Sequence, residues 1–343
     1  MMWLSWRQFR AQTIVAASGL IAVAIVLAVS GVQLADKFHT SMTGCQTHGN
    51  CGRFANTFLT TVDGSGYQVV ALIIVGLIYA VPGLIGVFWG APLITREIEG
   101  HTLSLAWTQS VTRTRWLAVR VAMIGLVATA TTGLLSFMLS WWIKPLYEAS
   151  AKVGTGDHVL NRLWPVEFGV NGIAPIGYAA FAFALGLAFG VLIRRTLPAM
   201  AATLAAFAGI QVAWPRLIRP HLITPLRSIV PIVPGKLNEL MIDPSRHMYI
   251  KGIFNKPGAW VLSNLTIDKA GHPFTGPATK ACLGGTQQAC DASVGRLHLR
   301  QLVTYQPAGR YWSFQWYEIA IFMALALLLV AYCFWRVSRR RLS

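Results

Sequence analysis

The stretch Ile94-Thr-Arg-Glu-Ile-Glu-Gly-His-Thr-Leu-Ser-Leu-Ala-Trp-Thr-Gln-Ser-Val-Thr-Arg-Thr-Arg-Trp116 is a polar run between two apolar runs, each long enough to cross a bilayer. Its charges are ordered, because Glu97 and Glu99 come early and Arg113 and Arg115 come late. This order suits a short helix, since carboxylates are favourable near a helix N-terminus and guanidinium groups near its C-terminus. The stretch therefore predicts two membrane-crossing helices joined by a polar segment, which contains a short helix with carboxylates at its start.

A break and an apolar side are also visible in this polar run. Gly100 offers the break, and Thr102 is a possible N-cap for the residues that follow. Leu103, Leu105 and Trp107 form an apolar side suited to the membrane surface or to a partner. A simple connection between two membrane helices needs neither feature.

The composition of the whole chain indicates an integral membrane protein. Of its 343 residues, 55% are hydrophobic and only 12% are charged, whereas a soluble domain carries about 25% charged residues. The net charge of +17 does not point to nucleic acid, because the chain has no nucleic-acid-binding motif. Many basic residues instead cluster at the ends of apolar runs, where anionic lipid is the expected partner.

Six apolar runs predict an all-α polytopic membrane protein with six transmembrane helices. A helix at the membrane interface is expected over 1–12, before the first run. The first run has no charge, and a secretory signal peptide is the alternative reading of it. A kink is expected at Pro82–Gly83 in the second run. The predicted spans are 13–34, 68–89, 117–142, 172–193, 197–214 and 316–335.

Arginines at the ends of these runs predict the orientation. They all fall on one side of the membrane, which the positive-inside rule assigns to the cytoplasm. Both termini are then cytoplasmic, and the loop 35–66 and a long insertion before the last span lie outside. The chain divides into 1–215 with five spans, an extracytoplasmic insertion over 216–313, and 314–343 with the sixth span and a basic tail. The arginines are Arg7, Arg10, Arg96, Arg113, Arg115, Arg120, Arg194, Arg195, Arg336 and Arg339 to Arg341.

The cysteines are distributed in agreement with that topology. Cys45 and Cys51 share one predicted outer loop, and Cys282 and Cys290 share the insertion. An oxidising exterior favours disulfides, and pairing within each loop is the simplest connectivity, although cross-loop pairs remain possible. Cys333 has no partner in the last span. No metal site is expected, because the histidines near Cys45 and Cys51 match no zinc spacing.

Small and charged residues within the spans carry weaker signals. Small residues let helices approach closely, and packing within one subunit is the preferred interpretation over dimerisation. Arg120 and Glu318 lie near span ends, where we expect anchors that reach toward the interface, with a place in a transport pathway as the alternative. The small-residue stripes are Ala182, Gly186 and Gly190 on the fourth span, and Ala201, Ala205 and Gly209 on the fifth.

Catalytic motifs are missing from the sequence. A P-loop needs a lysine followed by Ser or Thr, and no lysine of this chain is so followed. The Gly-x-Ser-x-Gly and His-Glu-x-x-His motifs are absent as well. We therefore expect no enzyme and no cofactor in this chain, and any pump must take its energy from another chain.

Two segments resemble ABC exporter permeases of the drug- and polysaccharide-export class. In that class an acidic element follows the second span, and the third span starts with Ser or Thr and Arg. The segment from Gln306 to Glu318 is similar to the lead into the last span of these permeases. The matching residues of the first segment are Arg96, Glu97, Glu99, Gly100, Thr102, Ser110, Thr112 and Arg113.

The resemblance implies a dimer of permeases, of identical or different chains, with one cytoplasmic ATPase that holds ATP and Mg docked under each. It also implies export or extraction of an amphipathic substrate. Two other functions stay open: a membrane-bound sensor or immunity module that binds a ligand through the insertion, and a membrane enzyme acting on lipid. Trp107 is expected to contact the ATPase, and the alternative is that its ring only anchors the segment at the lipid interface. The expected ATPase-coupling residues are Arg96, Glu97, Glu99, Gly100, Thr102, Leu103, Leu105, Trp107 and Arg113.

The predicted topology can be tested with single cysteine substitutions. A membrane-impermeant maleimide added to intact cells should label Gly156→Cys but not Gln109→Cys, because the arginine distribution places these positions on opposite sides. Wild-type cells treated in parallel correct for labelling of native cysteines. The reverse pattern would invert the predicted orientation.

Overall fold

The computed structural model describes residues 2–100, 113–153, 160–233, 237–254 and 256–339. Within these ranges six helical stretches are long and apolar enough to cross a membrane, which is the predicted number. Five of them extend beyond the predicted spans because the helices continue past their most apolar residues, whereas the fourth lies within its predicted span. The stretches are Gln12–Cys45, Gly66–Glu99, Thr114–Trp142, Ala174–Ile193, Thr196–His221 and Ala308–Arg339.

The first helix is longer than predicted. Helix α1 (Met2–His48) runs without interruption through the expected interfacial helix and into the expected polar loop, and α2 (Cys51–Asp63) occupies most of the remaining loop. The prediction of a loop was wrong because the polar residues lie on one side only. Phe38 on α1 packs edge-on against Phe58 on α2, with ring centroids 5.5 Å apart, in a shared apolar core.

The second span changes its helical geometry near its end. Helix α3 (Gly66–Ile85) contains Pro82, passes into a π-helical turn at Gly86–Gly90, and leads into α4 (Pro92–Glu99). Proline has no backbone N–H to donate, and π-helical turns are rare and often occur at functional sites. Pro82 and Gly83 themselves lie within α3, and the change of helical geometry begins at Gly86; the kink at Pro82–Gly83 stays a prediction.

Short helices connect the remaining spans. After α9 the chain continues through a π-helical turn at Trp214–Ile218 and a short 3-10 turn at Arg219–His221, so the fifth helical stretch passes the expected boundary at 215. The helices are α5 (Arg113–Trp142), α6 (Lys144–Val153), α7 (Pro165–Val170), α8 (Ala174–Ile193) and α9 (Thr196–Ala213).

The insertion is a small α/β unit. Its described part contains an antiparallel sheet with strand order β1-β5-β4 and a separate β2-β3 hairpin. The predicted all-α fold therefore applies to the membrane part only, because the insertion contains five strands among its described residues. A last helix, α12 (Tyr311–Arg339), follows the insertion. The elements of the insertion are β1 (Leu226–Pro231), β2 (Leu237–Ile242), β3 (Met248–Gly252), β4 (Trp260–Ile267), α10 (Lys280–Gly284), α11 (Gln287–Arg296) and β5 (Arg300–Gln306).

Both expected disulfide pairs are in contact in the structure. Cys45 and Cys51 are bonded across the turn between α1 and α2, with their Cα atoms 4.6 Å apart. Cys282 and Cys290 are bonded in the insertion, with a Cα separation of 4.5 Å. Cys333 is a free, buried thiol in α12. The second bond joins α10 and α11, two helices of 5 and 10 residues that are too short to be stable in isolation.

Helix α8 is the centre of the bundle. In its most apolar stretch 67% of the residues are buried, against 33% or less in each of the other spans found in the described ranges. It contacts α3, α4, α5, α9, α12 and the π-helical turn. A helix that is surrounded in this way must be apolar on every side. Its sequence, built from Ala, Gly, Leu and Phe, meets that requirement.

Glycines allow α8 to cross the second span at backbone contact. A Cβ atom at Gly186 would overlap the carbonyl oxygen of Gly86, and a Cβ at Gly90 would overlap that of Phe183. A Cβ at Gly190 would lie 2.6 Å from the oxygen of Ala91. The stripe on the fourth span therefore packs within one subunit, as expected. The stripe on the fifth span does not, because Ala201, Ala205 and Gly209 are all exposed.

The crossing can be tested with alanine substitutions at two glycines. Gly186→Ala should destabilise the protein by about 1–3 kcal/mol, because the added methyl group forces two backbones apart. Gly76→Ala is the matched control, since nothing lies within 4 Å of a Cβ at that position. Thermal unfolding of the purified variants should show a lower midpoint for Gly186→Ala only. Equal midpoints would contradict the close crossing.

Candidate functional site

The candidate site is the end of the bundle that carries Arg194 and Arg195, which we call the basic end. Helix α4 lies there with Pro92 in its first turn, where proline is tolerated because its missing N–H has no helical partner. Ile94 and Thr95 are fully buried against the bundle. Helix α4 is thus fixed along one side.

Glu99 joins α4 to the start of the fifth span. Its two carboxylate oxygens accept hydrogen bonds from the backbone N–H of Thr196 at 2.8 Å and from the Thr196 hydroxyl at 2.6 Å. The Thr196 hydroxyl also lies 2.8 Å from that of Thr95. Helix α9 begins at Thr196, and its residue before the first turn, Arg195, provides no side-chain cap. A carboxylate from α4 therefore satisfies a free N–H at a position where the helix dipole favours negative charge.

Glu97 joins the same helix to the third span. Its carboxylate lies 3.0 Å from the Arg120 guanidinium, and both side chains are largely shielded from solvent. The Arg120 guanidinium also stacks on the Trp116 ring, 4.3 Å from the ring centroid. Partial burial and the fixed fork of the guanidinium make this pair more specific than an exposed ion pair. Helix α4 is therefore attached to both α5 and α9.

The predicted coupling residues occupy different positions around this site. Glu97 and Glu99 lie in the last turn of α4, so the expectation that they begin a helix was wrong. Negative charge is unfavourable at this end of a helix, and the ion pair with Arg120 and the hydrogen bonds from Thr196 offset that cost. Arg96 is exposed, Gly100 follows the helix, and Arg113 begins α5. Thr102, Leu103, Leu105 and Trp107 lie outside the described residues.

A buried ion pair holds the spans together at the opposite end of the bundle, which we call the insertion end. The Arg219 Nε donates to Glu318 at 2.5 Å, and the side chains are only 2% and 0% exposed. The Tyr178 hydroxyl donates to the same carboxylate. Arg219 follows α9, Glu318 lies in α12 and Tyr178 lies in α8. The Glu318 carboxylate therefore links the last three spans.

Arg219 also reaches the segment before the fourth span. Its Nη1 donates to the carbonyl of Pro165 at 3.1 Å, and its guanidinium lies 4.3 Å from the centroid of the Phe168 ring. Tyr79, from the second span, donates to the carbonyl of Val166 at 2.9 Å. Helix α7 is thereby fixed to the bundle by polar contacts from two sides.

Sequence reasoning did not find this cluster. Glu318 was expected to be an interfacial anchor, which is wrong because its side chain is fully buried and paired. Arg120 is likewise paired within the chain. In the sequence, Arg219 is one of several basic residues in the predicted insertion, and nothing marks it as buried. The only available signal was that both Glu318 and Arg219 lie next to apolar runs, at opposite borders of the same insertion.

Gln315 provides a second cap from a neighbouring helix. Its side-chain oxygen accepts hydrogen bonds from the backbone N–H groups of Ile173 and Ala174, at 2.9 and 2.8 Å. Its amide nitrogen donates to the carbonyl of Asn171 at 2.9 Å. The start of α8 is thus satisfied by α12, as the start of α9 is satisfied by α4.

Burial shifts the pKa values of two titratable groups near the insertion end. Burial raises the pKa of the Glu167 carboxyl, one of whose oxygens has no hydrogen-bond partner within the described structure. Burial also raises the pKa of the Tyr147 phenol, and the nearby Glu167 acts in the same direction. Both groups therefore favour their neutral forms.

Six membrane-length helices in the described ranges, one of which is the buried central helix α8, define a multi-pass membrane protein. Residues 17–219, more than half of the chain, match the family model described as ABC-2 membrane transporter related. The chain belongs to this family, and it is a membrane component of a transporter. Comparisons with curated proteins and with solved structures gave no match.

The burial of the Arg219–Glu318 ion pair leads to a prediction about the free energy of unfolding. Removing one partner, by Glu318→Leu or Arg219→Leu, should destabilise the protein by about 3–5 kcal/mol, because an unpaired charge stays buried. The double Leu variant should be more stable than either single variant, since it removes both charges. The measurement is thermal unfolding in detergent.

An exposed ion pair is the control for that experiment. Lys251 and Glu239 are 2.6 Å apart, and both side chains are about half exposed. Lys251→Ala should cost no more than about 1 kcal/mol. If Glu318→Leu is no more destabilising than Lys251→Ala, the buried pair does not hold the spans together.

Proposed function

We propose that this chain is the permease of an ATP-binding-cassette exporter that moves an amphipathic molecule such as a drug, an antibiotic or a lipid-like compound. The observation that carries the proposal is the attachment of α4 to two spans, through Glu97 and Arg120 and through Glu99 and Thr196. Membership of the transporter family and the missing P-loop support it. ATP and Mg belong to a separate cytoplasmic ATPase.

The proposed mechanism rests on the carboxylates of α4, which already have partners within this chain. Glu97 and Glu99 contact this chain's own spans, so their proposed role is to pass movement into those spans rather than to bind the ATPase. Arg96 is exposed on α4 and is suited to contact a partner. Leu103, Leu105 and Trp107 are proposed to supply the apolar part of the contact. When two ATPases close, α4 would carry the third and fifth spans with it.

A second permease copy completes the proposed transporter. The exposed side of α9 carries Ala201, Ala205 and Gly209 along its length. Small residues at this spacing let two helices approach closely in a membrane. We therefore assign this side of the fifth span to the contact between copies, whether the two chains are identical or different. The basic end faces the cytoplasm in this arrangement, as the arginines predict.

Two variants separate docking from transmission. Trp107→Ala should weaken co-purification of the ATPase about thirtyfold, because truncating an aromatic anchor can cost roughly 2 kcal/mol. Glu99→Ala should leave co-purification unchanged but uncouple ATP hydrolysis from export, because the contact with Thr196 is lost. Glu239→Ala, in an exposed pair of the insertion, is the control.

The readouts are the amount of ATPase retained on the purified permease and the ATP hydrolysed per substrate exported. If both stay at the wild-type level in Trp107→Ala and Glu99→Ala, the loop is not the coupling element. If no ATPase is retained by the wild-type chain, a sensor that binds a ligand through its insertion becomes the better account.

A further inference from the structure

A cavity lies at the insertion end, between the membrane helices and the insertion. Its volume is about 430 Å³, enough for the head and the first part of the tail of a small amphipathic molecule. Its walls come from α6, from the segment 160–163, from the loop at Pro257–Gly258 and from the start of α12. Asn161 fastens two of these walls, because its amide donates to the carbonyl of Ala259 at 2.8 Å.

Arg162 supplies a positive charge at this cavity. The arginine is exposed, and its guanidinium lies over the Tyr147 ring, 4.6 Å from the centroid. Across the described ranges no carboxylate lies within ion-pair distance of it, in contrast to Arg120 and Arg219. A guanidinium stacked on a ring is held in orientation while its N–H donors remain available to a planar or tetrahedral anion.

Among the described residues, Glu148 is the one carboxylate on the cavity wall, and it does not cancel this charge. Glu148 is exposed and lies 3.9 Å from Lys144, one helical turn away, so it is screened by water and by its own partner. Glu167 is not on the wall of the cavity. The part of the wall formed by described residues therefore carries one unneutralised positive charge, that of Arg162.

The remaining lining is aromatic and apolar. Tyr147 and Tyr311 are buried, whereas the Trp312 ring is 57% exposed beside the cavity. Leu163 closes the wall beneath them and is fully buried. An exposed Trp next to an arginine suits a ligand that is charged at one end and apolar at the other.

We propose that this cavity binds the anionic head of an amphipathic molecule, a phosphate or a carboxylate, at Arg162, with the apolar part against Trp312 and Leu163. A cationic amphiphile would meet the Arg162 charge unfavourably. A neutral apolar molecule would leave the guanidinium without a partner. This site concerns binding alone and does not depend on coupling to an ATPase.

The test measures binding of dodecyl phosphate to the full-length protein by native mass spectrometry from detergent micelles, without ATPase or nucleotide. Arg162→Gln should weaken binding at least tenfold, and Arg162→Lys should weaken it less, because the charge remains. Trp312→Ala should also weaken binding. Arg227→Gln is the matched control, since Arg227 is an exposed arginine of the insertion that does not line the cavity.

Two further probes test separately whether the ligand must be anionic and whether it must have an apolar part. Dodecyltrimethylammonium should bind at least tenfold more weakly than dodecyl phosphate. Inorganic phosphate at the same concentration should not displace dodecyl phosphate, because the apolar part of the ligand contributes contacts with Trp312 and Leu163. Full displacement by inorganic phosphate would contradict an amphipathic ligand.

Two results would overturn the proposal: equal binding of dodecyl phosphate to Arg162→Gln and wild type, or equal binding of the anionic and cationic amphiphiles. Unfolding midpoints of all variants, measured in the same detergent, separate a lost site from a lost fold. A permease that binds dodecyl phosphate but retains no ATPase would keep this inference and refute the proposed function.

Discussion

The close crossing between the central helix and the second span is the constraint on which the rest of the bundle depends. At each contact a glycine of one helix lies directly against a backbone carbonyl of the other. A Cβ atom would come within 2.6 Å of that carbonyl oxygen, so each of these positions requires glycine: Gly86, Gly90, Gly186 and Gly190. Helices in lipid gain little from the hydrophobic effect and depend on such close packing. The crossing coincides with the π-helical turn, which sets the path of the second span into α4.

Polar contacts then fix the helices at both ends of this crossing. At the basic end the α4 carboxylates bind Arg120 and the first turn of α9. At the insertion end Glu318 binds Arg219 and Tyr178, and Gln315 satisfies the start of α8. Buried polar groups are costly unless they are paired, so these contacts specify one arrangement of the spans rather than many. Movement of α4 would therefore reach the third and fifth spans directly.

The sequence predicted the features that are local or periodic. Apolar runs of sufficient length predicted the six spans, the Gly186 and Gly190 spacing predicted close packing within the subunit, and shared loops predicted both disulfide pairs. Features that depend on distant residues could not be predicted in this way. Nothing in the sequence links Glu99 to Thr196 or Arg219 to Glu318, because each pair meets only after the helices have packed. The coupling residues of the loop and the membrane orientation stay predictions.

The proposed transmission of movement can be measured most directly with spin labels on α4. One pair is placed at residue 96 and at Val212 on the exposed side of the fifth span, and a second pair at residue 96 and at Ile14 on the exposed side of α1. Distances are recorded for the complex with its ATPase, without nucleotide and with trapped ATP. We predict that ATP leaves the first distance unchanged and changes the second, because α4 and the fifth span move together. A change in the first distance with no change in the second would contradict the account.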